Sequence, residues 1–394
     1  MNQQASSSKM RSGVIKRGST WSYVLRITDG TGVSKQKWVG GFSTEREAKL
    51  ARAKALTDLD KGKFAAPSKV TVAVYFSQWL DGREMDLKPK TIDGYRYLVN
   101  GYILPALGKL KLQSLTPRKL SDFYRDLSLL GGRGGSPLSK TTVNRIAALV
   151  KKVLKDAVYV GQLLSSNPAE QAITPRQANV SKTSDLWDAA QLKAFLTVAK
   201  QHRLHAVLWL AAYTGLRRGE LLALRWSDVD FANQVIRVHR SMSLTSKGVV
   251  EGTTKSHKER FVSIDASTVG VLQAHRSRQA SEREFAMDSW EGTDYVFCTE
   301  FGLPVYPTTL THLLHKLIVV HNQENPGMQL KRIRFHDLRH IHATLLLEAG
   351  VPVHVVAARL GHADPAITLR TYAHVLNKQS ETAVNMFASK LREA

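Results

Sequence analysis

Three things are scarce in this 394-residue chain. Cysteine occurs once, at Cys298, which excludes an intramolecular disulfide framework and any cysteine-rich zinc site and fits a reducing, cytoplasmic setting. Long apolar runs are missing. One of the longest, residues 206–213, falls far short of the roughly 20 residues that cross a bilayer. The first residues, Met1-Asn2-Gln3-Gln4, carry no apolar signal core, so the expectation is a soluble protein that is not exported and has no membrane partner. Acidic residues are also few, 33 against 56 Lys and Arg, which leaves a formal charge of +23 at pH 7. With 43% hydrophobic and 23% charged residues the chain otherwise has an ordinary globular balance, enough for two to four domains with cores of their own. A positive excess of this size points to a polyanionic partner, nucleic acid above all, bound through release of counterions from phosphates.

The excess is uneven. Residues 1–66 carry net +8 and residues 67–184 net +10, while residues 185–394 carry only +5. The first two segments therefore have the character of DNA grips, and the last that of a packed domain with a few placed cations. Residues 1–64 form a small unit. Residues 21–27 and 35–39 have strand character around a turn at Asp29-Gly30-Thr31-Gly32, and Thr44 with Glu47 fits a capping box that opens a helix to about Asp60. The cations Lys16, Arg17, Arg26, Lys35 and Lys37 lie on this basic ribbon, a shape that can enter a DNA groove.

Residues 65–69 are expected to be a linker, followed by a helical domain over 70–166. Apolar residues recur at helical spacing over 70–80, over 90–104 and in a long helix from Ser139 to about Leu164, and Thr116-Pro117 is an N-cap with proline at the first helical position. Lys140, Arg145, Lys151 and Lys152 decorate the long helix as candidate phosphate contacts. A second linker is expected over 167–184. From 185 to 394 the pattern is mainly helical, with strands at 234–240 and 260–264.

Chemistry gathers in the last domain. In Thr214-Gly215-Leu216-Arg217, Gly215 ends an apolar helix and Arg217 stands where free backbone N–H groups also favour an anion. Its guanidinium can grip a phosphate with two donors, or simply pair with Glu220. In His336-Asp337-Leu338-Arg339-His340, His336 and Arg339 share a helical face at i, i+3. His336 and His340, at i, i+4, also loosely echo a zinc-binding helix, whose third ligand would come from His354, His362 or His374. Finally, Gly361 stops a helix before His362, and Asp364-Pro365 starts another that carries Tyr372 about two turns in.

Arg217 in Thr-Gly-Leu-Arg, His336-x-x-Arg339, Leu-Gly-His362 and Tyr372 in Thr-Tyr-Ala-His together resemble the signature of the tyrosine recombinases, in that family's order. Lys255, in Thr253-Thr254-Lys255-Ser256, is similar to the family's β-hairpin lysine. The resemblance implies an α+β multidomain protein: a three-stranded sheet plus helix that binds arm-type DNA, a four-helix core-binding domain, and a mainly helical catalytic domain with a small antiparallel sheet. It implies a phage-type integrase that cleaves and rejoins double-stranded DNA at attachment sites through a 3′-phosphotyrosyl link. Tyr372 would be the nucleophile and Lys255 the general acid. Arg217, Arg339, His336 and His362 would be phosphate donors, with His336 also the candidate proton acceptor. It further implies a homotetramer on DNA, DNA-bending and directionality factors as partners, no metal or other cofactor, and a nucleoid-associated location in a bacterial host. A resolvase or transposon-type recombinase and a catalytically inactive DNA-binding relative stand as alternatives.

Overall fold

Alternating residues near the N-terminus give a sheet with one covered face. The computed structural model describes residues 13–28, 34–60, 65–176, 186–254, 259–292, 294–362, 364–372, 387 and 391–392. Strands β1 (Val14–Arg17), β2 (Thr20–Thr28) and β3 (Ser34–Phe42) pair antiparallel in that order. Val14, Tyr23 and Leu25 bury one face against Ala48 and Ala55 of helix α1 (Glu45–Asp60). The capping box forms: Glu47 N–H donates to Thr44 Oγ1 at 3.2 Å, and Thr44 N–H donates back to Glu47 Oε2 at 3.4 Å. Four-residue β1 is too short for its own alternation to announce it. The expected turn at 29–32 lies outside the described residues.

The helical segment contains α2 (Val72–Gly82), α3 (Pro89–Leu98), α4 (Pro117–Leu130) and α5 (Lys140–Tyr159) around one core. Thr116 and Ser139 cap α4 and α5, each accepting the backbone N–H three residues on. A π turn, Val99–Ile103, prolongs α3. Asp156 ties α5 to α2, accepting from Trp79 Nε1 and Arg83 Nη2, both at 2.7 Å. Helix α5 stops at Tyr159, short of the expected Leu164. Gly161 follows, Gln162 takes a φ of 48°, and the N–H groups of Gly161 and Leu163 fold back onto the Asp156 and Ala157 carbonyls.

Polar stretches expected to link domains are partly pinned here. Gln113 holds Ala66 O at 2.7 Å and Ser68 N at 2.9 Å. Asn167 Nδ2 donates to Lys151 O at 2.9 Å, and Ala169 is buried in the helical core. Short polar segments of this kind look like linkers in sequence because their hydrogen-bond partners lie 16 to 47 residues away.

Residues 186–372 build around α6 (Ala189–Ala199), α7 (His205–Thr214), the five-residue α8 (Arg218–Leu222), α9 (Ala266–Ala286), α10 (Pro307–Glu324), α11 (Asp337–Glu348) and α12 (Val353–Leu360). Helix α7 is apolar nearly all round and correspondingly buried. Strands β4 (Val229–Asp230), β5 (Val235–Val238) and β8 (Arg260–Ser263) form one antiparallel sheet, and β6 (Arg240–Thr245) with β7 (Gly248–Thr253) a hairpin. The expected strands at 234–240 and 260–264 become β5 with the start of β6, and β8. The polar hairpin β6–β7 is held by ion pairs: Arg240 to Asp228 at 2.6 Å and Arg225 to Glu251 at 3.1 Å. Among the described residues no helix is long and apolar enough to cross a membrane.

Candidate active site

Two glycines set the geometry of the site. Gly215 ends α7 with φ 64° and Gly361 ends α12 with φ 70°, the left-handed conformation that only glycine adopts at little cost. There is no room for a side chain at either. A Cβ on Gly215 would lie 2.8 Å from His342 and Leu360, and one on Gly361 would lie 2.9 Å from Arg260 Nη1. The helix ends therefore approach each other and present carbonyls to guanidinium groups. Arg339, 3% exposed on α11, donates from Nη1 to Gly215 O at 2.8 Å and from Nη2 to Leu360 O at 2.7 Å. Arg217, the N-cap residue of α8, donates from Nη2 to Gly361 O at 3.2 Å.

Glu220 supports this arrangement from beneath. Its carboxylate is buried and accepts from Arg217 N and Nη1, both at 2.9 Å, and from Arg260 Nη1 and Nη2 at 3.2 and 2.6 Å. Burial pushes its pKa up, but the Arg260 and Arg217 contacts outweigh burial and hold it below the ordinary carboxylate range. The pairing weighed for Arg217 is thus present together with its reach toward Gly361, not instead of it. Arg260 carries no spacing signal in the sequence; only the packing of β8 against α12 brings it here.

His336 stands immediately before α11, with no capping hydrogen bond from its side chain, and His362 follows Gly361. Burial lowers both to about 4, aided by the charges of Arg217 and Arg339, so both imidazoles are neutral at pH 7. His362 Nδ1 is hydrogen-bonded to the Thr368 hydroxyl at 2.7 Å, which fixes its ring. Burial pushes Arg339 down to about 9, with Arg217 adding to the effect, which leaves it charged at neutral pH.

Tyr372 is the last described residue of the helical stretch 365–372 and is 2% exposed, packed with Ala343, Leu347, Val356 and Leu360. Burial pushes its hydroxyl up to about 12, against an opposing pull from Arg339. That hydroxyl meets His340 Nδ1 at 2.8 Å, whereas the sequence pointed to His336 as its proton acceptor. The His336 and His340 rings meet edge to face at 5.1 Å, so His340 stands between His336 and the tyrosine. The only sequence signal for His340 is its i, i+4 spacing from His336. Among the described residues no three His, Cys, Asp or Glu side chains are placed to hold a metal ion; His374 lies outside them. Lys255 also lies outside the described residues, beyond the end of β7.

The candidate DNA contacts are distributed as follows. Strand register puts Arg17, Arg26 and Trp38 on the sheet face away from α1, with the Arg17 guanidinium 4.1 Å from the Trp38 ring centre. Lys16, opposite Trp21, and Lys37, opposite Leu25, fall on the α1 side, though both are exposed. Lys35 lies on β3, and its side chain is outside the described residues. Lys140, Arg145, Lys151 and Lys152 lie opposite the buried row of α5. Lys152 sits over the Tyr95 and Trp79 rings at 5.3 and 5.7 Å.

Comparison with known proteins agrees with this order of parts. Residues 14–59 match an arm DNA-binding domain, residues 71–128 the N-terminal SAM-like domain of phage integrases, and residues 186–379 the phage integrase family. A XerC-like tyrosine recombinase of Caldanaerobacter subterraneus is 29% identical over 362 residues, covering 86% of this chain and 88% of its own. The ICEBs1 integrase of Bacillus subtilis is 28% identical over 360 residues, covering 86% and 89%. Among solved structures, the Tn1549 transposon integrase in complex with a circular intermediate DNA is similar in fold, with a TM-score of 0.66 at 19% identity over 79% of this chain and 99% of that one. The three matched spans take in most of the sequence, and the chain belongs to the phage integrase family of tyrosine recombinases, as a site-specific recombinase of the integrase type.

Proposed function

We propose that this chain integrates or excises a phage or other mobile element by breaking and rejoining duplex DNA at attachment sites, with Tyr372 as nucleophile. The observation that carries the reading is the meeting of Arg217 and Arg339 at the carbonyls of Leu360 and Gly361, with His336, His362 and Tyr372 beside them. A guanidinium has five N–H donors, so two spent on carbonyls leave others for a phosphate. Charge gathering on the phosphate oxygens in the transition state would be met by the two arginines, with the neutral imidazoles of His336 and His362 as further donors. Tyr372 Oη forms the bond to phosphorus as the bond to O5′ breaks, and Lys255 supplies the proton to O5′. The phosphotyrosyl link keeps the energy of the broken bond, and a 5′-hydroxyl of the partner duplex reverses the step. Arg17, Arg26 and the cations of α5 act through the DNA backbone. Recombination breaks four strands and each chain has one such tyrosine, so the working assembly is a homotetramer. DNA-bending and directionality factors would set which way it runs, and its work would keep it at the nucleoid of a bacterial host.

The test is a covalent selection. Full-length protein is incubated with nicked duplexes carrying a randomised core, denatured and washed, and the attached DNA and peptide are sequenced. The expected adduct is on Tyr372 and absent from Tyr372→Phe. Arg217→Ala and Arg339→Ala should each lower adduct formation about a thousand-fold or more while retaining DNA binding. An adduct on another residue overturns the reading.

A further inference from the structure

A tyrosine whose hydroxyl is held up at about 12 must hand its proton to something as it attacks. The two guanidinium groups cannot accept one. His362 has its Nδ1 engaged by Thr368, the His336 ring lies edge to face on His340 at 5.1 Å, and neither makes a hydrogen bond to Tyr372 Oη. His340 does, at 2.8 Å through Nδ1. The contact is built into the packing of one helix. His340, Ala343 and Leu347 lie at i, i+3 and i+7 on α11, and Tyr372 is buried against Ala343 and Leu347 with its hydroxyl at the His340 end. The groups around His340 are Asp337, Arg334, Arg339, the His336 ring and Tyr372 itself. Burial favours the neutral ring, Arg334 and Arg339 add to this, and Asp337 opposes it. A neutral ring with its proton on Nε2 presents the Nδ1 lone pair to the tyrosine.

We infer that His340 is the proton acceptor for Tyr372, a role that rests on Tyr372 being the nucleophile. The Oη–H bond breaks and Nδ1–H forms as Oη bonds to phosphorus and the P–O5′ bond breaks; O5′ takes its proton from Lys255. In the second half, the incoming 5′-hydroxyl displaces Oη, which regains its proton from His340 Nδ1. His336 is left to the phosphate, one helical turn away.

The rate of covalent attachment to the nicked duplex recovered above separates the possibilities. His340→Ala should slow it by about a hundred-fold or more, the range of general base catalysis, and added imidazole should restore part of the loss. His340→Asn places an amide oxygen near the Nδ1 position, accepting the tyrosine hydrogen bond without basicity. It should keep the fold and DNA binding yet stay as slow as His340→Ala. Wild-type rates in His340→Asn would reduce His340 to a positioning residue and overturn the proposal. So would an unaffected His340→Ala beside a disabled His336→Asn. Loss in His340→Ala without imidazole rescue, together with lost DNA binding, would also count against it. An adduct that persists in Tyr372→Phe is a different outcome, the failure of the nucleophile assignment itself.

Discussion

Glu220→Gln tests whether the arginine pair is held by a buried charge or merely lies near one. The wild-type carboxylate takes four hydrogen bonds, two from Arg217 and two from Arg260, at 2.6–3.2 Å. Its side chain is 1% exposed, and those of Arg260 and Arg217 are 10% and 27% exposed. The glutamine amide has the same shape but one acceptor oxygen, and its NH2 group would face a guanidinium, donor against donor. Two cations would lose their counter-charge in a site that water barely reaches. Breaking a buried pair from one side costs about 3–5 kcal/mol, and the partial exposure of Arg217 puts the expectation near the lower end. The pH dependence has a definite sign. A carboxylate held below its ordinary pKa stabilises the fold above the ordinary range and ceases to do so as pH falls through its folded value. The gap between wild type and Glu220→Gln should therefore be widest at neutral pH and close under acid. Urea titration read by pulsed hydrogen exchange over residues 205–222, repeated from pH 7 downward, measures it locally. A loss below about 1 kcal/mol, as for a surface pair, or one that does not change with pH, would refute the reasoning.

Three further outcomes are expected. Gly361→Ala should cost roughly 1–2 kcal/mol for the left-handed backbone alone, more for the contact with Arg260, and should slow covalent attachment; an unchanged urea midpoint counts against it. His336, His342 and His362 are all held to about 4, chiefly by burial, whereas in the unfolded chain they titrate near about 6.5. Between those values the unfolded state binds more protons, so stability should fall as pH drops from about 6.5 to about 4. His342→Gln, which keeps an acceptor for Arg359 Nε, should reduce that slope by up to one proton in a urea-midpoint series. Glu251 on β7 accepts from Arg225 and from the Tyr295 hydroxyl at 2.8 Å, and holds the hairpin that leads to Lys255. Glu251→Gln should slow cleavage of ordinary DNA but much less with a 5′-bridging sulfur, a leaving group that needs no acid; equal slowing on both substrates would disconnect the hairpin from proton delivery.

Local features were legible because their partners are close in sequence. Thr44 with Glu47, Thr116 with Pro117, and Ser139 each bond three residues on, and Gly215 and Gly361 end their helices where the apolar pattern breaks. The residues proposed for the phosphate site stood out as a family pattern, and Arg217, His336, Arg339, His362 and Tyr372 are near neighbours in space. The end of α5 was misplaced by five residues because nothing apolar marks it; a backbone turn onto Asp156 does.

By itself the sequence determined the three modules, the mostly basic character of the first two, and the residue types a phosphate needs. Tertiary structure decided which groups touch. Arg339 finds its carbonyls 124 and 21 residues away, Glu220 takes Arg260 from 40 residues on, and Tyr372 meets His340 from 32 residues before it. Helical spacing placed His336 and His340 on one face but could not say which would reach the tyrosine. That depends on how the 365–372 segment packs along α11, where burial of the ring against Ala343 and Leu347 sets the position of the hydroxyl.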